Sequence, residues 1–331
     1  MLNAKRGFAM LLAAMLLLSA VSCGAGEKKE DTSPESGSET AFLYSFTDSG
    51  GTSVTLSEKP KKVAVLFSSL ADIWVTAGGT VDITVGESVE RGFADAAAVL
   101  VDPGSGHNAI DLETLVDAEP DLVIGTADYK GQTQAVETCR QAGIPAALFR
   151  VESVEDYITV LKIFCGITEN EGHYNQYGTA VATQIDTILD RVKQANADAR
   201  NILFIRAGSS AKSTKAKTAE DHFACLMLDQ LGTVNIADTE HTLAGTLSLE
   251  TIIDQAPDYL FITTMGDETA AKGYMNSLLQ EEGWRELDCV KEGNYCYLPK
   301  DLFHYKPNAR WAEAYEFLAA ILYPENVSNH G

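Results

Sequence analysis

The chain has 331 residues, and 45% of them are hydrophobic, which is enough for one large or two medium-sized packed domains. Its formal net charge is −22, with 47 acidic residues against 25 basic ones. Nucleic-acid binding and charge-driven adhesion to anionic lipid both need clustered Lys and Arg, so this balance argues against both. An anionic ligand would have to be bound by a few local cations.

The N-terminal segment differs in composition from the rest of the chain. Lys5 and Arg6 precede an uncharged stretch that ends at residue 22, too short for the ~20 residues of a membrane span. Residues 1–22 therefore predict a secretory signal. The run ends in "LLLSAVSCGAG", which resembles the lipobox of bacterial lipoproteins. The resemblance implies cleavage before Cys23, a lipid on its thiol and an extracytoplasmic, membrane-anchored protein; a plain secretory signal is the alternative.

The folded body begins after a polar segment. Residues 23–40 are charged and lack aromatic residues, which predicts a disordered tether. Two short alternating runs around "TDSGG" follow and predict a hairpin. Strand-like runs then alternate with helical ones: "KKVAVLF", "DITVG", "DLVIG" and "PAALFRV" are separated by amphipathic segments. This alternation predicts an α/β lobe with a parallel sheet over residues 41–170.

Residues 171–199 break the alternation with one continuous helical pattern. The apolar residues recur at helix spacing, and about 25 residues at 1.5 Å each give roughly 37 Å, enough to cross a domain. The strand and helix alternation then restarts over residues 200–327. The predicted fold is therefore α/β, with two similar lobes of mostly parallel sheets, one long α-helix joining them and a ligand cleft between them.

A repeated corner supports the two-lobed plan. "DLETLVDAEPDLVI" (111–124) and "SLETIIDQAPDYLF" (248–261) share six of fourteen positions. In each copy a Pro ends a predicted helix, since the residue before Pro avoids the α region. Glu113 and Glu250 occupy the first helical turn, where the helix dipole favours a carboxylate by ~0.3–1 kcal/mol. That effect is one sufficient explanation; a two-pronged acidic docking surface on the lobe rims is another.

Several of these stretches together resemble the substrate-binding lipoproteins of ABC importers for iron–siderophore, haem and cobalamin. The resemblance rests on Cys23, "KPKKVAVLFSSLADIWVTAGG", the repeated corner, the linking helix and "LFHYKPNARWAEAYEFLAAILYPE", and covers about residues 55–325. It implies a monomeric, non-enzymatic protein that needs no cofactor, carries an iron chelate, haem or corrinoid, and contacts an ABC permease and its ATPase. It also implies that Glu113 and Glu250 contact permease arginines.

The ligand site is predicted from the strand ends. Ligands of parallel sheets bind outside the carboxyl ends of the strands. The candidates are the residues that follow strands in the two lobes: Phe67, Ser68, Ser69, Arg91, Tyr129, Arg150, Arg206, Met265, His304 and Tyr305. They combine aromatic faces with isolated cations, which suits a bulky anionic chelate. Ser68 or Ser69 is also predicted to cap a helix, and Lys212, Lys215 and Lys217 form a second candidate cationic loop.

Other functional classes have weaker sequence support. The chain contains neither a G-x-S-x-G elbow nor a P-loop. A two-lobed metal chelatase or cluster-assembly enzyme is the main rival, against which the secretory signal argues. A divalent-metal-binding lipoprotein is a third reading, against which six scattered histidines without i, i+4 spacing argue. Among the cysteines after Cys23, a bridge between Cys289 and Cys296 is left open.

Overall fold

A computed structural model describes residues 43–102, 109–195, 198–240, 242–243 and 246–324. The predicted signal, the tether, Cys23 and the stretch 103–108 lie outside the described residues. Within the described ranges, no helix combines the length and apolarity required to cross a membrane.

The N-terminal lobe consists of a hairpin and a parallel sheet with helices between its strands. The hairpin pairs β1 (Tyr44–Thr47) with β2 (Ser53–Leu56). The sheet has the order β5-β4-β3-β6-β7 and all its pairs are parallel. Its strands are β3 (Val63–Val65), β4 (Ile83–Thr84), β5 (Val99–Leu100), β6 (Leu122–Thr126) and β7 (Ala146–Phe149). The helices are α1 (Ser68–Thr76), α2 (Gly86–Glu90), α3 (Leu112–Asp117), α4 (Lys130–Gln141) and α5 (Val154–Thr168).

The linking helix contains a local irregularity. It comprises α6 (Glu171–Tyr174), a π-helical turn (Asn175–Thr179) and α7 (Ala180–Ala195) without interruption. The Tyr157 hydroxyl donates to the Tyr177 carbonyl oxygen at 2.9 Å within the π turn. Such wider turns occur where a side chain satisfies a carbonyl outside the regular pattern. The buried face of α7 has the helical spacing expected from the sequence, at Val181, Ile185, Ile188 and Val192.

The C-terminal lobe repeats the parallel sheet. Its order is β10-β8-β11-β12, with β9 antiparallel to the end of β8. The strands are β8 (Arg200–Ala207), β9 (Lys215–Ala216), β10 (Thr233–Asn235), β11 (Tyr259–Thr264) and β12 (Tyr295–Tyr297). The helices are α8 (Phe223–Gln230), α9 (Ile236–Thr239), α10 (Leu249–Gln255), α11 (Glu268–Leu279), α12 (Asp288–Lys291), α13 (Lys300–Phe303) and α14 (Trp311–Leu322). The α/β fold with two lobes and one long helix is thus confirmed.

The two repeated corners have matching backbone conformations. Glu119 (φ 47°) and Ala256 (φ 43°) both adopt left-handed conformations directly before Pro120 and Pro257. The carboxylates that follow these prolines bind the start of a neighbouring strand. Asp121 accepts from the backbone N–H of Lys62 at 2.9 Å, and Asp258 does the same for Asn201 at 2.8 Å. The shared "PD" therefore fixes the entry of β6 and β11 into their sheets.

Side-chain capping differs among these helices. Asp111 caps α3, accepting from the Thr114 N–H at 3.1 Å. Ser248 occupies the corresponding N-cap of α10 but makes no side-chain bond to the helix backbone. The prediction that Ser68 or Ser69 caps α1 is wrong, because the N-cap position is Phe67 and both serines lie inside the first turn.

One hydrophobic core connects the lobes. It includes Trp74 and Phe164 of the first lobe, the apolar face of α7, and Phe223 and Trp311 of the second. The Trp74 and Phe164 rings meet edge to face at 5.3 Å, and Phe223 and Trp311 do so at 5.4 Å. The thiols of Cys289 and Cys296 are both free, so the bridge left open by the sequence is not formed.

Candidate functional site

A cavity of about 440 Å³ opens between the two lobes. Its walls come from the carboxyl ends of β3, β6 and β7 on one side and, on the other, from the carboxyl ends of β8 and β11 and the segment that follows α13. Eight of the residues predicted from the strand ends line it: Phe67, Ser68, Ser69, Tyr129, Arg206, Met265, His304 and Tyr305. The volume lies within the ~300–1,000 Å³ typical of small-molecule sites.

Arg91 lies beside this cavity rather than in its lining. Its guanidinium lies 4.0 Å from the ring centre of Tyr305, which belongs to the opposite lobe, and 4.8 Å from that of Phe93. One of its nitrogens also donates to the Ser68 hydroxyl oxygen at 2.9 Å. The stacking and the hydrogen bond hold Arg91 as a contact between the lobes.

Arg150 does not line the cavity either. Its Nε is 2.7 Å from a carboxylate oxygen of Asp128, and its side chain is 56% exposed. Asp128 itself lines the cavity, so Arg150 affects the site only through its ion pair with this carboxylate.

Arg206 extends from the end of β8 into the cavity. Its Nε is buried and has no hydrogen-bond partner in the described part of the chain. No ion pair joins its guanidinium to a carboxylate among the described residues. Because a buried donor without a partner is costly, an acceptor supplied from outside would bind favourably here.

The sequence did not single out His222, which also lines the cavity. It is the N-cap of α8, and its Nδ1 accepts from the Ala224 N–H at 3.2 Å. Burial, together with the positive charges of Lys306 and Lys217, lowers the pKa of His222 to about 3. The ring is therefore neutral at pH 7, with its proton on Nε2, because Nδ1 is an acceptor.

His304 has a similar electrostatic environment. Burial, followed by the charge of Lys300, lowers its pKa below the usual value for histidine. It is thus mainly neutral at neutral pH, and its ring packs edge-on against Tyr305 at 4.9 Å. His304 is the C-cap of α13, and the sequence gives no signal of its charge state, because that state depends on tertiary neighbours.

An ion pair lies in the lining of the cavity. Lys306 Nζ is 2.6 Å from a carboxylate oxygen of Glu152, so the pair connects the two lobes. The same ammonium lies 4.8 Å from the ring centre of Phe223. Neither Glu152 nor Lys306 was singled out from the sequence, although Lys306 directly follows the predicted His304 and Tyr305.

Residues 304–308, "HYKPN", form a cross-lobe segment between α13 and α14. Besides the contacts of Tyr305 and Lys306, Asn308 Nδ2 donates to the Ser69 carbonyl oxygen at 3.0 Å and to an Asp72 carboxylate oxygen at 2.8 Å. Asn308 is fully buried and left-handed (φ 49°), a conformation that Asn tolerates better than most residues. Burial raises the pKa of the Asp72 carboxyl group above its usual range. The segment therefore joins the lobes at three points around the cavity.

The second cationic loop does not reach the cavity. Lys217 is largely buried and forms an ion pair with Asp221, while Lys215 lies in β9. Lys212 sits in a short 3-10 turn, and none of the three is among the described lining residues. The three lysines of this candidate loop therefore do not contribute to the described lining of the cavity. In the described ranges, no group of three or more His, Cys, Asp or Glu side chains could hold a bare metal ion.

Comparisons with known proteins agree with this architecture. The family model of the periplasmic binding protein matches residues 63–302. A periplasmic solute-binding protein from Veillonella parvula has a TM-score of 0.69 at 14% identity, with 87% of this chain and 89% of that chain covered. A comparison with curated protein sequences finds no match.

Two further solved structures are similar. The haem-binding protein RhuT from Roseiflexus has a TM-score of 0.64 at 16% identity, covering 80% of this chain and 99% of that one. The petrobactin-binding protein YclQ from Bacillus subtilis has a TM-score of 0.63 at 17% identity, covering 87% and 100%. At these identities the likeness shows the fold alone.

The family match extends over more than half of the sequence. The chain therefore belongs to the periplasmic binding protein family, whose members bind solutes outside the cytoplasm.

Proposed function

We propose that this protein is the lipid-anchored binding component of an ABC importer and that it carries a metal chelate. A ferric siderophore is the favoured ligand, with haem or a corrinoid as alternatives. The names of the similar haem-binding and petrobactin-binding proteins support this ligand class. The proposal includes no catalytic step.

The observation that carries the proposal is the state of Arg206. A guanidinium with a buried Nε and no partner in the described part of the chain requires an acceptor. It faces a cavity that also offers aromatic surfaces, among them Phe67 and Tyr129, whose ring centres lie 5.7 Å apart. A chelate that has an apolar body and a peripheral anionic group would use both features.

The test is titration of the purified protein with a ferric siderophore, with haem and with a corrinoid. Binding is measured by visible absorption and by calorimetry. Arg206→Gln should weaken binding of the ligand by ~1.5–3 kcal/mol, the range for a hydrogen bond to a charged group. Arg285→Gln is the matched control, because Arg285 is an exposed arginine of the same lobe, paired with Glu286 away from the cavity. Equal affinities for wild type and Arg206→Gln would remove Arg206 from the site.

Membrane attachment through Cys23 is a separate part of the proposal. If the lipobox resemblance is correct, Cys23→Ala should release the protein from the membrane fraction of cells. A variant that stays in that fraction and still incorporates a lipid probe would contradict the anchor.

A further inference from the structure

The cavity wall is richer in carboxylates than in cations. Four carboxylates line it in the described residues, those of Glu87, Asp128, Glu152 and Asp221. The permanent cations of the same lining are Arg206 and Lys306. His222 and His304 add no positive charge at neutral pH, because their pKa values are lowered mainly by burial.

Most of these carboxylates already have a cationic partner. Lys306 Nζ binds Glu152 at 2.6 Å, and Arg150 Nε binds Asp128 at 2.7 Å. Lys217 binds Asp221. Each of these three cations is therefore neutralised by a protein carboxylate, and a ligand that needs its charge must compete with that carboxylate.

The fourth carboxylate lies in a hydrogen-bonded chain. The Ser68 hydroxyl donates to Glu87, and Arg91 donates to the Ser68 oxygen. Arg91 is further held by stacking on Tyr305. Arg206 is thus the cation of the described lining that has no carboxylate partner.

We infer that the ligand is a chelate whose net charge is close to zero or singly negative, such as a ferric tris-hydroxamate, rather than a highly charged anion such as a ferric tris-catecholate. This inference rests on the proposed function. Three hydroxamates neutralise a ferric ion, whereas three catecholates leave a triply negative complex. One unpaired arginine compensates a single negative charge. Burying the two remaining charges of a trianion, where the other cations are already paired with protein carboxylates, is unfavourable.

The first experiment compares two probes of similar size, a neutral ferric tris-hydroxamate and a trianionic ferric tris-catecholate, by fluorescence titration at ~0.15 M salt. The hydroxamate complex should bind at least about tenfold more tightly. Tighter or equal binding of the catecholate complex would overturn the inference and leave the proposed function intact. Failure of both complexes, and of haem and a corrinoid, would overturn the proposed function as well.

A second experiment changes the charge of the wall. Glu152→Gln removes the partner of Lys306 without a large change in volume, so the ammonium becomes available to a ligand. The ratio of catecholate to hydroxamate affinity should then rise about tenfold, since one more cation in the cavity favours the trianion. Glu155→Gln is the matched control: it is exposed, three residues away and not part of this lining, and it should leave the ratio unchanged. An unchanged ratio in Glu152→Gln would contradict the inference.

Discussion

His222 combines a structural role with a pH dependence. Its neutral ring caps α8, and the pKa of about 3 lies below the usual 6.5, mainly because of burial. Below pH ~6.5 the unfolded chain binds a proton at His222 and the folded chain does not, so protonation favours unfolding. The stabilisation that comes from the neutral ring of His222 is therefore fully present above that pH. It is lost progressively as the pH falls from about 6.5 towards about 3.

The substitution that isolates this effect is His222→Asn, because Asn is a good N-cap residue and does not titrate. Between pH 7 and pH 5, wild type should lose up to roughly 2 kcal/mol of unfolding free energy more than the variant does. Urea unfolding at both pH values measures this difference. Parallel pH dependences of the unfolding free energy for wild type and His222→Asn would disprove the assignment.

The cavity residues show how far the rule that ligands bind outside the carboxyl ends of parallel strands can predict a site. It located eight cavity residues because the carboxyl ends of parallel strands meet at one edge regardless of side-chain detail. It could not predict that Arg91 stacks on Tyr305 or that Arg150 binds Asp128, since both partners are distant in sequence. Likewise, nothing local to Glu152 indicates a partner 154 positions away.

The N-terminal hairpin is attached to its lobe through the carboxylate of Asp48. The side chain has no exposed surface, and it accepts from Arg140 at 2.5 Å and from the Leu148 N–H at 2.9 Å. Leu148 belongs to β7, an edge strand of the sheet, so Asp48 satisfies a backbone donor that an edge would leave free. Its other oxygen accepts from Gly50 and Thr52 within the hairpin turn.

Asp48→Asn should therefore destabilise the protein by ~3–5 kcal/mol, the usual effect of removing one partner of a buried ion pair. The shift of the denaturation midpoint measures this cost. Asp117→Asn, an exposed change at the end of α3, should stay within about 0.5 kcal/mol of wild type. A loss below 1 kcal/mol at Asp48 would mean that the hairpin is held mainly by its apolar contacts.

At the level of elements, long periodic segments were predictable and local irregularities were not. The linking helix followed from apolar residues at helix spacing, whereas its π turn depends on the Tyr157 hydroxyl from another helix. The cap of α1 was misplaced because Ser68 and Ser69 both suit an N-cap, but Ser68 bonds to Glu87 instead. Short helices such as α9, α12 and α13 contain too few turns to produce a periodic signal.

For the whole molecule, the central prediction concerns Glu113 and Glu250. Both are exposed and lie in the first turns of α3 and α10. We propose that they contact arginines of the permease. The double substitution to Gln should then reduce uptake by cells more than either single one, since interfacial charge pairs can carry ~1.5–7 kcal/mol of coupling.

Ligand affinity of the same purified double variant should be unchanged, because neither glutamate lines the cavity. Glu137→Gln, an exposed substitution on α4, is a suitable control for nonspecific surface effects. Normal uptake by the double variant would leave only the helix-dipole role, worth at most ~1 kcal/mol each. Loss of both uptake and ligand binding would mean that the two residues serve ligand binding and that their assignment to a permease-contacting surface is wrong.

The matched corners bear on how the molecule arose. The strand order β4-β3-β6-β7 in one lobe corresponds to β10-β8-β11-β12 in the other, with every pair parallel. Within that common order, a left-handed residue precedes the proline of each corner at the same offset, although neither residue is glycine. A rare conformation repeated at one offset is expected if both lobes descend from a single ancestral lobe that was duplicated. Superposing the lobes through Pro120 and Pro257 should then align their four common strands without a register shift, and a shift would point to convergence instead.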